Sequence, residues 1–117
     1  ATWLSEIGQL VPRLQLLLSD SDPAVRLAAA RSWRALHQPH ESVWPVLLEL
    51  LTSTDRQVRR GASQELQAIV QQGTVGEAEI NRLHQDPRAA VRLEAVRLQR
   101  LNAQRQSART RTTSPTE

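Results

Sequence analysis

Arg26, Arg59 and Arg92 each follow a valine and recur at a spacing of 33 residues. A guanidinium is planar, carries five donors and stays charged at physiological pH, so such a series can grip carboxylates or phosphates or tie one part of a fold to another. Two more series keep the same register. Arg31, Gln64 and Arg97 are equivalent, as are Arg34, Gln67 and Arg100. His37 and His40 flank Gln38-Pro39 and are followed by Glu41, a composition that suggests a metal site. A ligand pair on a proline turn lacks helical i, i+4 geometry, however, and no second cluster completes the coordination, so no metal is expected. Nucleophilic chemistry has no support. The chain has no cysteine and no lysine, its four glycines are dispersed, and it has no phosphate-binding loop. No catalytic residue and no cofactor is predicted.

Composition narrows the range further. A chain of 117 residues is one small domain at most. Leu, Val and Ala dominate the apolar residues, and the only aromatic side chains are Trp3, Trp33 and Trp44. Small apolar residues let helix axes approach closely. All 15 basic residues are arginine, yet the net charge is only +3. Arg105, Arg109 and Arg111 against Glu117 give +2 of that, so residues 1–103 are near neutral, which argues against nucleic acid. No run is apolar enough to cross a membrane, no signal peptide is visible, and the lack of cysteine agrees with a cytoplasmic address. The chain starts at Ala1 without Met, as a processed form or a piece of a longer array would.

The elements that must position the arginines follow from the same period. Pro12 and Pro45, Leu14, Leu47 and Ile80, Leu17, Leu50 and Leu83, and Ala29, Ala62 and Ala95 all fall in the 33-residue register. A fixed period with apolar residues at equivalent places predicts stacked units that bury a continuous core. Each unit reads as two helices, in units of about 8–37, 43–72 and 75–103. The first helices are Gly8–Leu18, Val43–Leu51 and Val75–His84; the second are Pro23–His37, Arg56–Gln72 and Pro87–Ala103. Leu10, Leu14, Leu17 and Leu18 form the predicted inner face of the first helix. Asp22 before Pro23, and Asp86 before Pro87, are N-cap and N1 signals, with Asp55 as the middle equivalent. Thr74 and Glu77 have capping-box spacing. Pro39 ends one second helix, and Gly73 is placed to end another in a left-handed C-cap. Ala1–Ile7 reads either as the last turns of a second helix from a preceding unit or as an extension of the first helix. Residues 104–117, apolar only at Ala108, are predicted to be a disordered tail.

These residues resemble HEAT-like repeats. The family shows a proline in a Leu-rich first helix, a turn with Asp, Val-Arg, a small pair and a later Leu. The first copy reads Pro12, Leu17-Leu18, Asp22, Val25-Arg26, Ala28-Ala29 and Leu36; the second reads Pro45, Leu50-Leu51, Asp55, Val58-Arg59, Gly61-Ala62 and Leu66. The third is weaker, with Ala78 for the proline, His84 for a leucine and Arg88 for the capping Asp. The resemblance covers about residues 8–102. It implies an all-α, right-handed α-α superhelix that serves as a protein-interaction scaffold and shares no common activity. In that family the Val-Arg arginine commonly pairs with the turn Asp, which implies a structural ladder of Asp22, Arg26, Asp55, Arg59 and Arg92. Second helices line the concave surface of such a stack, so Arg31, Arg34, Gln64, Gln67, Arg97 and Arg100 become the partner-binding stripe, suited to an acidic protein.

Trp33 is read as core, since its equivalent in the middle unit is Leu66. Trp44 is read as a helix contact or a hydrophobic anchor, and Trp3 as an anchor at an open N-terminal edge through which copies could associate. The charged third unit is read as a C-terminal cap. The function expected is non-catalytic protein binding. Two alternatives are a HEAT-like lyase or chaperone-type subunit acting on a pigment protein, and a nucleic-acid module like the HEAT-like alkylpurine glycosylases.

Overall fold

Asp22 caps its helix as predicted. Its Oδ1 accepts the Ala24 amide at 2.9 Å, and Pro23 sits where no amide hydrogen is needed. The computed structural model describes the backbone of residues 2–113 and the side chains of residues 8–109. Six α-helices follow in order: α1 (Thr2–Leu17), α2 (Pro23–Ala35), α3 (Trp44–Leu50), α4 (Arg56–Gln71), α5 (Glu77–Leu83) and α6 (Ala89–Thr113). One 3-10 turn, His40–Ser42, precedes α3, and no strand occurs among the described residues. The chain divides into two units, Ala1–Glu65 and Leu66–Glu117. In the first, α1 packs on α2 and α2 on α3; in the second, α5 packs on α6.

Burial follows the predicted register. Leu14, Leu47 and Ile80 are all buried, and so are Ala29, Ala62 and Ala95. The first unit's core also takes Leu27, Trp33, Val43, Leu50 and Val58, and the second unit's takes Leu66, Ile69, Leu83, Val91 and Leu98. Helix period and side-chain size thus place equivalent residues in equivalent surroundings.

Several boundaries differ from expectation. Helix α1 is continuous from Thr2, so the segment before Gly8 extends the first helix. Pro12 therefore lies inside α1, where it removes one helical hydrogen bond. Leu10 and Leu17 are exposed, unlike Leu14 and Leu18, because α2 covers only one flank of α1. The Thr74–Glu77 capping box does not form: α5 starts at Glu77 behind Gly76, with no side-chain cap. Helix α6 starts at Ala89, two residues past Pro87.

The same helix runs to Thr113, where a disordered tail was predicted from residue 104. Its Gln, Arg and Ala residues lose little rotamer freedom in a helix. Arg105 anchors the extension. Its Nη1 lies 3.0 Å from where a Cβ would stand on Gly73, and its Nη2 donates to Asn102 Oδ1 at 3.4 Å. The remaining tail, with Ser114 and Pro115, lies outside the described residues.

Gly73 adopts φ 80°, as the C-cap reading requires. A second left-handed residue was not foreseen: His37 has φ 57°. The Gln38 amide donates to the Trp33 carbonyl at 3.2 Å and the His37 amide to the Arg34 carbonyl at 2.9 Å. That pair of bonds is a Schellman end with histidine in the glycine position, so the turn ends α2 before Pro39 is reached.

Candidate functional site: the arginines of the turns and second helices

The turn arginines hold backbone, not aspartate. Arg26 Nη1 donates to the Asp20 carbonyl at 2.8 Å, Arg59 Nη1 to the Ser53 carbonyl at 2.7 Å, and Arg92 Nη1 to the Asp86 carbonyl at 2.7 Å. Each guanidinium thus closes the turn six residues before it. The ladder with Asp22 and Asp55 does not form, because those carboxylates are occupied as helix caps on the Ala24 and Gln57 amides, each at 2.9 Å. Arg26 has a further ion pair with Glu49, at 3.6 Å.

Positions 20, 53 and 86 supply the carbonyls of this device; of the three, only Asp86 was singled out in the sequence, and there as a helix cap. Asp20 Oδ1, Ser53 Oγ and Asp86 Oδ1 accept the amides of Asp22, Asp55 and Arg88 at 2.9, 3.1 and 2.8 Å. The signal was present as a short oxygen-bearing side chain in register at all three places. In the last turn Arg88 cannot cap. It instead grips Asp86, Nε to Oδ1 and Nη2 to Oδ2, both at 2.9 Å. The Arg88 guanidinium and amide pull the Asp86 carboxyl down to about 2, against the desolvation that opposes them.

The predicted binding stripe is partly tied to buried carboxylates. In the first unit, Gly61 of α4 has no side chain, and Leu27 of α2 lies directly against it. That close approach brings Arg34 to Glu65, with Nε to Oε1 at 2.7 Å and Nη2 to Oε2 at 3.4 Å. Arg31 Nε lies 3.7 Å from Glu65 Oε2. Glu65 is buried. Its hydrogen bond, more than its charge, raises Arg34 further into the protonated range, against the desolvation that opposes it. Arg34 therefore serves the fold.

In the second unit Glu94 is buried as well, and Arg97 Nη1 donates to it at 3.1 Å. At two positions much of the side chain stays accessible, with 49% of the Arg31 side chain and 64% of the Arg97 side chain exposed. Gln64 and Arg100 are exposed, and Gln67 is half-buried.

Two of the three tryptophans have core roles. Trp33 is buried and its Nε1 donates to the Pro39 carbonyl at 2.7 Å, which fixes the loop after α2. Trp44 is buried too, edge-on to His40 with ring centroids 5.9 Å apart, so it is not an exposed anchor. The Trp3 side chain lies outside the described residues. His37 serves the left-handed turn and His40 the tryptophan contact, and no cluster of three metal-type ligands occurs among the described residues. His84 is half-buried, and its Nε2 lies 2.7 Å from Gln99 Oε1.

A family profile for HEAT repeats matches residues 10–79, the part of the chain that holds both well-formed copies of the pattern. The chain belongs to the HEAT repeat family. Such repeats generally mediate protein–protein interaction and are typically non-catalytic. No match was found among curated proteins or among solved structures. No helix among the described residues is long and apolar enough to cross a membrane.

Proposed function

We propose that the chain is a non-catalytic protein-binding module that holds an acidic partner surface through the outer faces of its second helices. Arg31, Gln64, Arg97 and Arg100 make the contacts. The observation that carries this is the anchoring of Arg31 and Arg97 on buried glutamates while about half or more of each side chain stays exposed. A guanidinium held on one edge loses less rotamer entropy when its other edge meets a partner carboxylate. The same glutamates offset its charge, which suits short-range recognition of protein better than the long-range attraction of nucleic acid. A cytoplasmic address remains the expectation for a chain without cysteine.

The test is affinity capture from the source cell with the wild type and with Arg31→Gln, Arg97→Gln, Arg100→Gln combined. Arg34 stays in place because its loss would strand Glu65. With helix content unchanged by circular dichroism, the variant should lose the proteins that the wild type retains in a salt-resistant manner. Equal recovery by both would remove this face from consideration.

A further inference from the structure

The two helices of the last hairpin hold a small polar cleft between them. Its volume is about 90 Å³, and it is lined by Glu77 and Ile80 of α5 and by Gln99, Asn102, Ala103 and Gln106 of α6. Gln99, Asn102 and Gln106 stand at i, i+3 and i+7, so they share one face of α6 with the buried Ala95. That is the face packed on α5, and Arg97 and Arg100 lie on roughly the opposite side of the helix. The cleft is thus shaped within one repeat and is separate from the arginine face.

Counting 33 residues back from the lining gives Trp44, Leu47, Leu66, Ile69, Val70 and Gly73. The first five are buried and apolar. The third repeat therefore puts a carboxylate and amides at places that its predecessor gives to core side chains, with Glu77 for Trp44, Gln99 for Leu66 and Asn102 for Ile69. The exchanges of Trp for Glu and of Val for Ala also remove volume.

Asn102 and Ile80 form the floor. Asn102 is only 4% exposed. Its Oδ1 accepts from Arg105 Nη2 at 3.4 Å, which makes the other end of the amide the donor. The Nδ2 hydrogens have no protein partner among the described residues. A buried donor left unmet is costly, so an acceptor placed there is favoured. At the exposed rim, Glu77 makes no hydrogen bond or ion pair among the described residues. Gln99 is held at the rim by His84, Oε1 to Nε2 at 2.7 Å.

We propose that this cleft binds a primary carboxamide, whose carbonyl accepts from Asn102 Nδ2 and whose NH₂ group donates to Glu77. The space suits one such head or several waters. A carboxylate would meet Glu77 with like charge, and an ammonium has no acceptor to offer Asn102. The carboxamide is the end of a partner's asparagine or glutamine side chain, or a free small amide.

Acetamide is the probe, and the side-chain NH₂ signals of Asn102 and Gln99 in ¹H–¹⁵N spectra of the whole chain are the readout; Asn81 is the only other asparagine. A fragment of this size should give a saturable shift with a midpoint on the order of 1–100 mM. Acetate and methylammonium at equal concentration should shift the signals far less, and Glu77→Gln should narrow the gap between acetamide and acetate. Asn102→Asp keeps the shape but removes the donor, and should weaken acetamide by roughly tenfold or more at the Gln99 signal. Asn102→Leu, close in kind to Ile69 one repeat earlier, should do the same and covers the case in which the aspartate unsettles the helix. A capped tripeptide with a central glutamine separates the two sources. A midpoint below that of acetamide assigns the cleft to a partner's side chain, and one above it to a free amide. A shift that rises without saturating, acetate that binds the wild type as well as acetamide does, or binding that neither Asn102 variant weakens would overturn the proposal.

Discussion

Arg34→Ala should cost more stability than an exposed arginine normally does. Glu65 is buried, with its Oε1 2.7 Å and its Oε2 3.4 Å from the Arg34 guanidinium. Removing one partner of a buried pair leaves a carboxylate in a poor solvent, at about 3–5 kcal/mol. Two features reduce that here. Arg34 is itself 30% exposed, and Arg31 stands 3.7 Å from Glu65 and can close on it. We expect about 2 kcal/mol, or a melting temperature lower by roughly 8 °C for a domain of this size. The place of Glu65 in the last repeat is taken by Leu98, which is fully buried. The double change Arg34→Ala with Glu65→Leu should therefore recover most of the loss, since well-packed apolar groups replace buried ion pairs at little cost. Urea and thermal unfolding at neutral pH, followed by circular dichroism, give the numbers for wild type, both single changes and the double. A loss under about 0.5 kcal/mol for Arg34→Ala would refute the reasoning, because that is the size of an exposed pair. A double variant no more stable than Arg34→Ala would refute it as well.

Three further outcomes follow from the turns. Arg59→Ala removes the 2.7 Å bond to the Ser53 carbonyl and should cost on the order of 1.5–3 kcal/mol, with faster amide exchange at Asp55 and Gln57; an unchanged melting curve would contradict the clamp. Asp86 is held at about 2 by Arg88, below its unfolded value, so its stabilising contribution is complete above about pH 4 and is lost as pH falls through about 2. With Arg88→Ala the Asp86 carbon signal in a nuclear magnetic resonance titration should move up toward the ordinary range, and about 1 kcal/mol of the stability lost on acidification should disappear; an unmoved midpoint would count against the pairing. His37→Gly should stabilise the chain by about 0.5–1 kcal/mol in denaturant unfolding, because φ 57° strains a side chain that glycine lacks, and a loss of stability would show that the imidazole matters more than the backbone.

Repeat period and helix pairs were legible because they rest on apolar spacing, which burial reads out directly. Trp33, Ala62 and Leu66 lie where the register places them. Ends of helices were less legible. The α6 extension depends on Arg105 meeting Gly73, a contact between residues far apart in sequence. The proposed binding face was half legible. Periodicity put Arg31 and Arg34 in neighbouring rows, but it could not show that Gly61 lets α2 approach α4 and draws Arg34 onto Glu65. Trp44 was read as a helix contact or an anchor because its equivalents are Val11 and Glu77; it is buried against His40, which leaves no exposed anchor. The arginine clamps were misassigned for a simple reason. The side-chain acceptors were visible in the sequence, and the backbone carbonyls that accept the bonds are visible only in a fold.

The outer face of the second helices is tested most directly by the arginine Nε–H signals of an ¹⁵N-labelled sample titrated with a captured partner. The 15 arginines and absence of lysine make that spectrum a map of every guanidinium and ammonium side chain in the chain. Signals of Arg31, Arg97 and Arg100 should shift, while those of Arg26, Arg59 and Arg92, bound to their own turns, should not. Shifts confined to the turn arginines, or to none of the second-helix set, would contradict the account.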